Sequence, residues 1–282
     1  MSDLISELLF KTKAIKVAPE STPFWYTSGK LGPFYCNTHF LLKDEDSAVT
    51  MLKNIEEAIS KSKVTAPKEI FDLMYGFYQT SESFKTVTDA LVEKAKEFEF
   101  DFISGGERRD FFFSMVPAFL LGKPHLTIYK DLTSAYSNSD FTNTVLSSEA
   151  DLKGKKALHI ADLITVASSY ERAWVPALKD LGADITDTIA VVDRHQGGEE
   201  VLKALGVSMY TLTGVDKDLF DLALKKDIIN KAQYDLVIKF LDDPDEYMKS
   251  FLKNNPDFIA SQIAMGGKAK ERAELAISKG FV

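Results

Sequence analysis

A chain of 282 residues with 45% hydrophobic content is long and apolar enough to bury a full core, as one elaborated domain or a domain with a satellite, and too apolar to stay disordered. A balance of 34 basic against 42 acidic residues gives a net charge of -8, which argues against broad capture of nucleic acid or an anionic membrane, so any anionic ligand must be held locally. Cys36 is the only cysteine, which rules out an intrachain disulfide and a cysteine zinc cluster and fits a reducing, cytoplasmic setting.

The opening Met-Ser-Asp-Leu lacks the basic flank and apolar core of an export signal, and no apolar run is long enough to span a bilayer, so neither export nor insertion is expected. Residues 4–10 carry a short helical pattern. Residues 23–40, rich in Gly, Pro and Tyr, read as turns and strands. Met51, Leu52, Ile55, Ala58 and Ile59 recur at helical spacing within residues 46–63, and a second amphipathic helix is expected over residues 87–98. A regular alternation follows: strand 100–104, apolar helix 110–121 stopped by Gly122, and strand 125–129. After a polar excursion over residues 131–154, the alternation resumes with strand 156–161, helix 168–181 ending at Gly182, strand 185–192, helix 198–205 and strand 207–212. Strands alternating with helices predict an α/β fold with right-handed crossovers, a parallel sheet flanked by helices, and ligand loops at the carboxyl ends of the strands. Beyond Val215 the pattern is mostly helical, over residues 218–229, 245–252 and 269–278.

The loop after strand 156–161 is the first candidate site. Ser168 and Glu171 have the spacing of a capping box at a helix start, where free amides point outward. Those amides, with the hydroxyls of Thr165, Ser168 and Ser169, suit a phosphate, and Asp162 suits ribose hydroxyls or a magnesium ion. Simple helix capping by the same hydroxyls is the competing reading. Arg108 and Arg109 follow a strand and open a helix, a position for bidentate phosphate contacts or for ordinary ion pairs with Glu107, Asp110 or another acid. The four histidines have no metal-binding spacing and no motif ties them to a nucleophile; His159 reads as a core residue and His195 as a candidate for the site.

A hydrophobic strand, Asp162-Leu163-Ile164-Thr165, then a small-residue turn resembles the phosphoribosyl diphosphate loop of type I phosphoribosyltransferases. The run from Phe24 to Asn37, with Ser28-Gly29-Lys30 and Pro33-Phe34-Tyr35, resembles the N-terminal segment of the orotate-specific members. Asp193-Arg194 resembles their base-contacting turn. The resemblance implies an N-terminal hood segment over residues 1–45, an α/β core over 46–214 and a helical C-terminal extension over 215–282. It further implies transfer of a phosphoribosyl group from phosphoribosyl diphosphate to orotate or a related pyrimidine base, with Mg2+ at Asp162 and a homodimer. In that scheme Asp162, Thr165, Ser168 and Ser169 hold the ribose phosphate. Lys130 and Arg108 meet the departing diphosphate, with Arg109 as a local substitute cation, and Ser28, Gly29, Lys30, Phe34, Tyr35 and Arg194 hold the base. Turn packing for Phe34 and Tyr35, and a salt bridge with Asp193 for Arg194, are the alternatives.

The chain departs from the family pattern at several positions, beginning with Gly32, which replaces the serine before Pro33. Ala161 replaces the first of two consecutive acids, and Ala167 stands where glycine lets backbone approach phosphate. Tyr129 replaces an arginine, and residues 131–136 hold no basic residue where the family has a mobile loop with lysine and histidine. Cations that meet the charge of a leaving diphosphate are a main source of rate. Their loss raises a rival expectation, a non-catalytic protein that binds a nucleobase or nucleotide on the same scaffold.

Overall fold

The computed structural model describes residues 2–282. Seven strands, β1 (Phe102–Gly106), β2 (His125–Ile128), β3 (Ser134–Ser137), β4 (Thr144–Leu146), β5 (Lys156–Ile164), β6 (Asp184–Asp193) and β7 (Ser208–Gly214), form one sheet in the order β7-β6-β5-β1-β2-β3-β4. The five strands from β7 to β2 run parallel, while β3 and β4 add an antiparallel edge. This is the expected α/β sheet. The apolar run of each parallel strand buries it on both faces: every residue of β1 and β2 is buried.

The helices of this part are α1 (Ser2–Lys11), α2 (Glu45–Lys61), α3 (Ala66–Thr80), α4 (Glu82–Ala95), α5 (Phe111–Leu120), α6 (Val175–Asp180) and α7 (Gly198–Ala204). Asp44 caps α2 by accepting the Ser47 N–H at 2.8 Å, which sets the start that hydropathy spacing places at residue 46. Phe111, Phe112 and Phe113 of α5 are fully buried, and on the other face Tyr170, Trp174, Val175 and Leu178 close over Ala157 and Ala161 of β5. Three elements lie outside the expectations. Helix α3 occupies residues left unassigned, and the polar excursion 131–154 contains β3 and β4, whose Ser, Thr and Asn content masks an edge hairpin that needs only one apolar face. Helix 168–181 divides into a π-helical turn, Tyr170–Trp174, and α6.

Residues pack into two compact units. The first holds the sheet and comprises the chain up to Ala14 and Asn37–Val215. Its discontinuity is closed by the Asn37 N–H donating to the Ala14 carbonyl at 2.7 Å. The second comprises Ile15–Cys36 and Asp216–Val282. It pairs Ile15–Val17 with Phe34–Cys36 and Phe24–Trp25 with Leu31–Gly32, each antiparallel. Five helices complete it: α8 (Lys217–Lys225), α9 (Lys231–Asp242), α10 (Pro244–Asn254), α11 (Phe258–Met265) and α12 (Gly267–Ser278). Helices α9 and α11 extend the helical reading of the C-terminal residues, α9 starting in a full capping box of Asn230 and Gln233. Among the described residues no helix is long and apolar enough to cross a membrane.

Candidate functional site

Strand order shows where a ligand fits. From β5 the chain winds through β6 to β7 on one side; from β1 it winds to β2 on the other. The direction of winding therefore reverses between β1 and β5, the place where doubly wound sheets open a crevice at the carboxyl ends of their strands. Pairing between β1 and β5 stops at Ser104 with His159, while β1 continues along β2 to Gly106 and β5 along β6 to Ile164. A cleft of about 300 Å³ opens there.

Seven of the residues singled out from the sequence line this cleft: Arg108, Arg109, Lys130, Asp162, Thr165, Ser168 and Ser169. Arg108, Arg109 and Asp110 come from the β1–α5 loop, in which the Glu107–Arg108 peptide is cis. Their three backbone N–H groups, and those of residues 166–169, donate to no acceptor among the described residues. Two sets of unsatisfied amides thus lie beside cations, an arrangement with the chemistry to receive an anion.

The cations are not equivalent. Arg108 is tied to Glu56. Arg109 is exposed and its guanidinium forms no ion pair or hydrogen bond among the described residues; its charge is felt by Asp162 and by His39. Lys130 is also exposed with a free ammonium, and its backbone N–H donates to Glu107 at 2.9 Å. His39, in the 3-10 turn Thr38–Leu42, packs on Phe40 and Phe112 with Nδ1 unpartnered. Burial, then Arg109 and Arg108, hold its pKa down to about 3.

Asp162 lies within β5 rather than in the loop, because the strand runs on to Ile164. Only 8% exposed, it accepts the Thr38 hydroxyl at 2.8 Å. Burial and the charge of Asp110 push its pKa up to about 7 against the pull of Arg109 and Thr38. A carboxyl so placed favours its neutral form. Among the described residues no three His, Cys, Asp or Glu side chains gather to hold a metal ion by themselves, while Glu107, Asp110 and Asp162 line the cleft, and a magnesium ion shared with substrate phosphates needs only one or two carboxylates.

One local expectation is corrected, and one alternative reading falls away. No capping box joins Ser168 to Glu171. The π turn begins at Tyr170, and Ser168 instead receives Arg172, whose guanidinium donates to its carbonyl and its Oγ, each at 3.2 Å. Arg194 does not pair with Asp193. The turn bends back at His195, φ +51°, so that Asp193 takes the His195 N–H and Nδ1, each at 2.9 Å. That leaves the half-buried Arg194 side chain without an ion pair among the described residues. Ala167 has φ +51°, the left-handed conformation that suits glycine, adopted here with a Cβ in place.

Where the family has its mobile loop, the chain makes a tight turn. Residues 130–133 connect β2 to β3 with Tyr129 N–H donating to Thr133 O and Leu132 N–H to Tyr129 O, both at 2.9 Å. Tyr129, 1% exposed, donates its hydroxyl to the Lys63 carbonyl at 2.5 Å, and Lys63 pairs with Asp131 and reaches Thr133 at 2.8 Å.

Ser28, Gly29, Lys30, Phe34 and Tyr35 belong to the second unit. Phe34, 1% exposed, is packed between Phe220 and Phe240; Tyr35 meets Phe24 edge-on. Gly29 takes φ +85° against Leu275 and Ala276, Ser28 offers its carbonyl to Lys279, and Lys30 pairs with Asp245.

Thr38, Asp110, Tyr170 and Trp174 were missed by sequence reasoning. Trp174 lies so close over Gly106 that a Cβ there would enter the indole ring. Ser104, His159 and Asp110 lie in a row, a chain of contacts in which Ser104 Oγ is 2.9 Å from His159 Nδ1 while His159 Nε2, 3.4 Å from Asp110, makes no hydrogen bond. Ser104 is fully buried and does not line the cleft, so the chain is internal and provides no nucleophile.

Fold and cleft together define a doubly wound α/β protein with a cleft of free amides and cationic side chains at its switch point. No family model matches the chain. It is 30% identical to an adenine phosphoribosyltransferase of Pasteurella multocida over 174 residues, 56% of this chain and 96% of that enzyme. It is also 30% identical to an orotate phosphoribosyltransferase of Saccharolobus solfataricus over 100 residues, 36% of this chain and only 49% of that enzyme, so the chain spans about half the length of that relative. Among solved structures, UMP synthase of Leishmania donovani aligns with TM-score 0.57 and 18% identity over 86% of this chain and 42% of that one. An orotate phosphoribosyltransferase of Francisella tularensis aligns with TM-score 0.54 and 14% identity over 84% and 96%; both likenesses speak for the fold. The chain belongs to the type I phosphoribosyltransferase family.

Proposed function

We propose that the protein binds phosphoribosyl diphosphate in this cleft and transfers the phosphoribosyl group to a nucleobase, orotate or a relative, releasing diphosphate. The observation that carries the reading is the convergence of two sets of unsatisfied amides with Arg109 and Lys130 on one cavity at the switch point. Thr165, Ser168 and Ser169 with amides 166–169 would take the ribose phosphate; Arg108, Arg109 and Lys130 would meet the diphosphate as charge develops on it. A ribosyl cation-like transition state asks for positioning rather than a covalent nucleophile. Neutral Asp162 would donate a hydrogen bond where a carboxylate would repel the ligand's phosphates. A magnesium ion bound with the substrate would instead be held by Asp162 and the ligand's own phosphates and would supply charge neutralisation there. Arg194 is the base-side residue of this unit, and the roles that the resemblance gives Ser28, Gly29, Lys30 and Tyr35 are carried by the resemblance alone, as are the cytoplasmic setting and the homodimer.

A second reading, binding without transfer, is favoured by the closed turn at residues 130–133, which leaves no mobile segment to cover a departing diphosphate. Calorimetric titration with phosphoribosyl diphosphate, beside an assay of diphosphate release with orotate, uracil and adenine, separates the readings. Turnover that is lost in Arg109→Ala supports transfer. Micromolar binding with no release for any base supports binding alone, and no binding at all refutes both.

A further inference from the structure

We propose that Asp110 is the positioning residue of the cleft, a carboxylate that staples the β1–α5 loop to the end of β5 and so sets the spacing of the two amide sets. The inference rests on the reading of the cleft as a diphosphate site and concerns what holds that site in shape.

Sheet hydrogen bonds cannot do this work, because the β1–β5 ladder ends at Ser104 and His159 and the strand ends beyond it part company. Asp110 bridges the gap. Its Oδ2 accepts the Gly106 N–H and its Oδ1 accepts the Asp162 N–H, each at 3.0 Å and each buried. Two inward donors from different strands need a side chain that only accepts, on both of its oxygens; an asparagine of the same shape would present its NH2 to one of them. Behind the carboxylate stands His159, whose Nδ1 is paired with Ser104, leaving Nε2 3.4 Å from Asp110. The imidazole lies between the rings of Tyr170 and Trp174, centroids 5.0 Å and 6.2 Å away, and both rings line the cleft. Asp110 thus joins the end of β1 to the end of β5. A diphosphate that engages both amide sets at once depends on their separation, which a loosened staple would let vary.

Asp110 also acts on Asp162 electrostatically. The groups facing the Asp162 carboxyl are Asp110 and Arg109 from the β1–α5 loop, Thr38 from the 3-10 turn and Tyr170 from the π turn. Removing the charge of Asp110 takes away one of the two causes that keep Asp162 protonated. The pH at which anion affinity falls through ionisation of Asp162 then moves downward, and because hydration of Asp162 would move it the same way, amide exchange and rescue by Asp110→Glu separate the staple from general loosening.

The test uses the full chain. Amide hydrogen exchange is measured at Gly106 and Asp162 in 15N-labelled protein, and inorganic diphosphate affinity is measured by calorimetry from pH 6 to pH 8. In Asp110→Asn, exchange at one or both amides should rise at least tenfold, diphosphate Kd should weaken at least tenfold at pH 7, and the fall in affinity should shift to lower pH. Asp110→Glu, which keeps both acceptor oxygens one methylene further out, should recover part of the lost affinity. Ser114→Ala is the control for general destabilisation. Ser114 lies four residues along the chain from Asp110 and is bonded to His125 at 2.9 Å, and its loss should leave both exchange rates and Kd within twofold. Unchanged exchange and Kd in Asp110→Asn beside a wild type that binds diphosphate overturn the staple alone, as does an equal loss in Ser114→Ala. A wild type that binds no diphosphate overturns the reading of the site and the staple's role with it. Because exchange is read without ligand, an Asp110→Asn chain too unstable for calorimetry is still judged against Asp110→Glu.

Discussion

Replacing Asp162 by asparagine should stabilise the protein at alkaline pH and leave it unchanged in acid. Asp162 is 8% exposed, and its pKa rises from 3.8 to about 7 through burial and the charge of Asp110. The native state therefore binds this proton more tightly than the unfolded chain does. Stability falls as pH climbs from about 4 to about 7 and levels off above that. A shift of roughly three units corresponds to about 4 kcal/mol at most, since one unit is worth about 1.4 kcal/mol. Asparagine resembles the neutral acid in shape, can still accept from Thr38 and does not titrate, so Asp162→Asn should match wild type near pH 4 and exceed it by about 2–4 kcal/mol at pH 8. For a unit of this size that is on the order of 5–15 °C in Tm. Thermal melts from pH 4 to pH 8.5 in a Trp25→Phe background, where Trp174 in the cleft wall is the remaining indole, would report the first unit alone. Parallel stability curves for the two proteins across this range, or a less stable Asp162→Asn at pH 8, would refute the assignment of a neutral buried carboxyl.

The remaining expectations concern the loops and the core. Ala167→Gly relieves a left-handed φ that costs an L-residue about 1–2 kcal/mol, offset in part by glycine's chain entropy, so a Tm gain equivalent to about 0.5–1 kcal/mol and tighter diphosphate binding are expected by calorimetry. Arg109→Ala should weaken diphosphate binding about tenfold or more, as loss of a charge-assisted contact of about 1.5–3 kcal/mol implies, and Arg108→Ala should cost less because Glu56 already engages that side chain. Phe112→Ala, a fully buried ring removed from α5, should lower unfolding free energy in urea by about 3–5 kcal/mol, and a loss under 1 kcal/mol would contradict the packing described.

Hydropathy period and turn chemistry determined much of this protein from sequence alone. The apolar runs at residues 156–164 and 184–193, with glycines closing each intervening helix, are local signals, and local signals survive without knowledge of partners. For that reason the α/β fold, the first strand–loop–helix and the seven residues that line the cleft were legible. Polar edge strands at residues 134–137 and 144–146 were not, since an edge hairpin is recognised by what it pairs with. Asp110, Thr38 and Trp174 could not be read either. Each is an ordinary residue for its position, an acid before a helix, a threonine in a turn and an aromatic in an amphipathic helix, until the sheet brings residues 52 and 124 positions apart within hydrogen-bond distance. Only tertiary structure could show that the loop after β5 has a glycine-like backbone at Ala167, that the segment standing where the family has a mobile loop is a closed turn, and that Asp162 is a buried acid held by its neighbours, because burial and charge at a site are set by the chain segments folded against it and not by the residue itself.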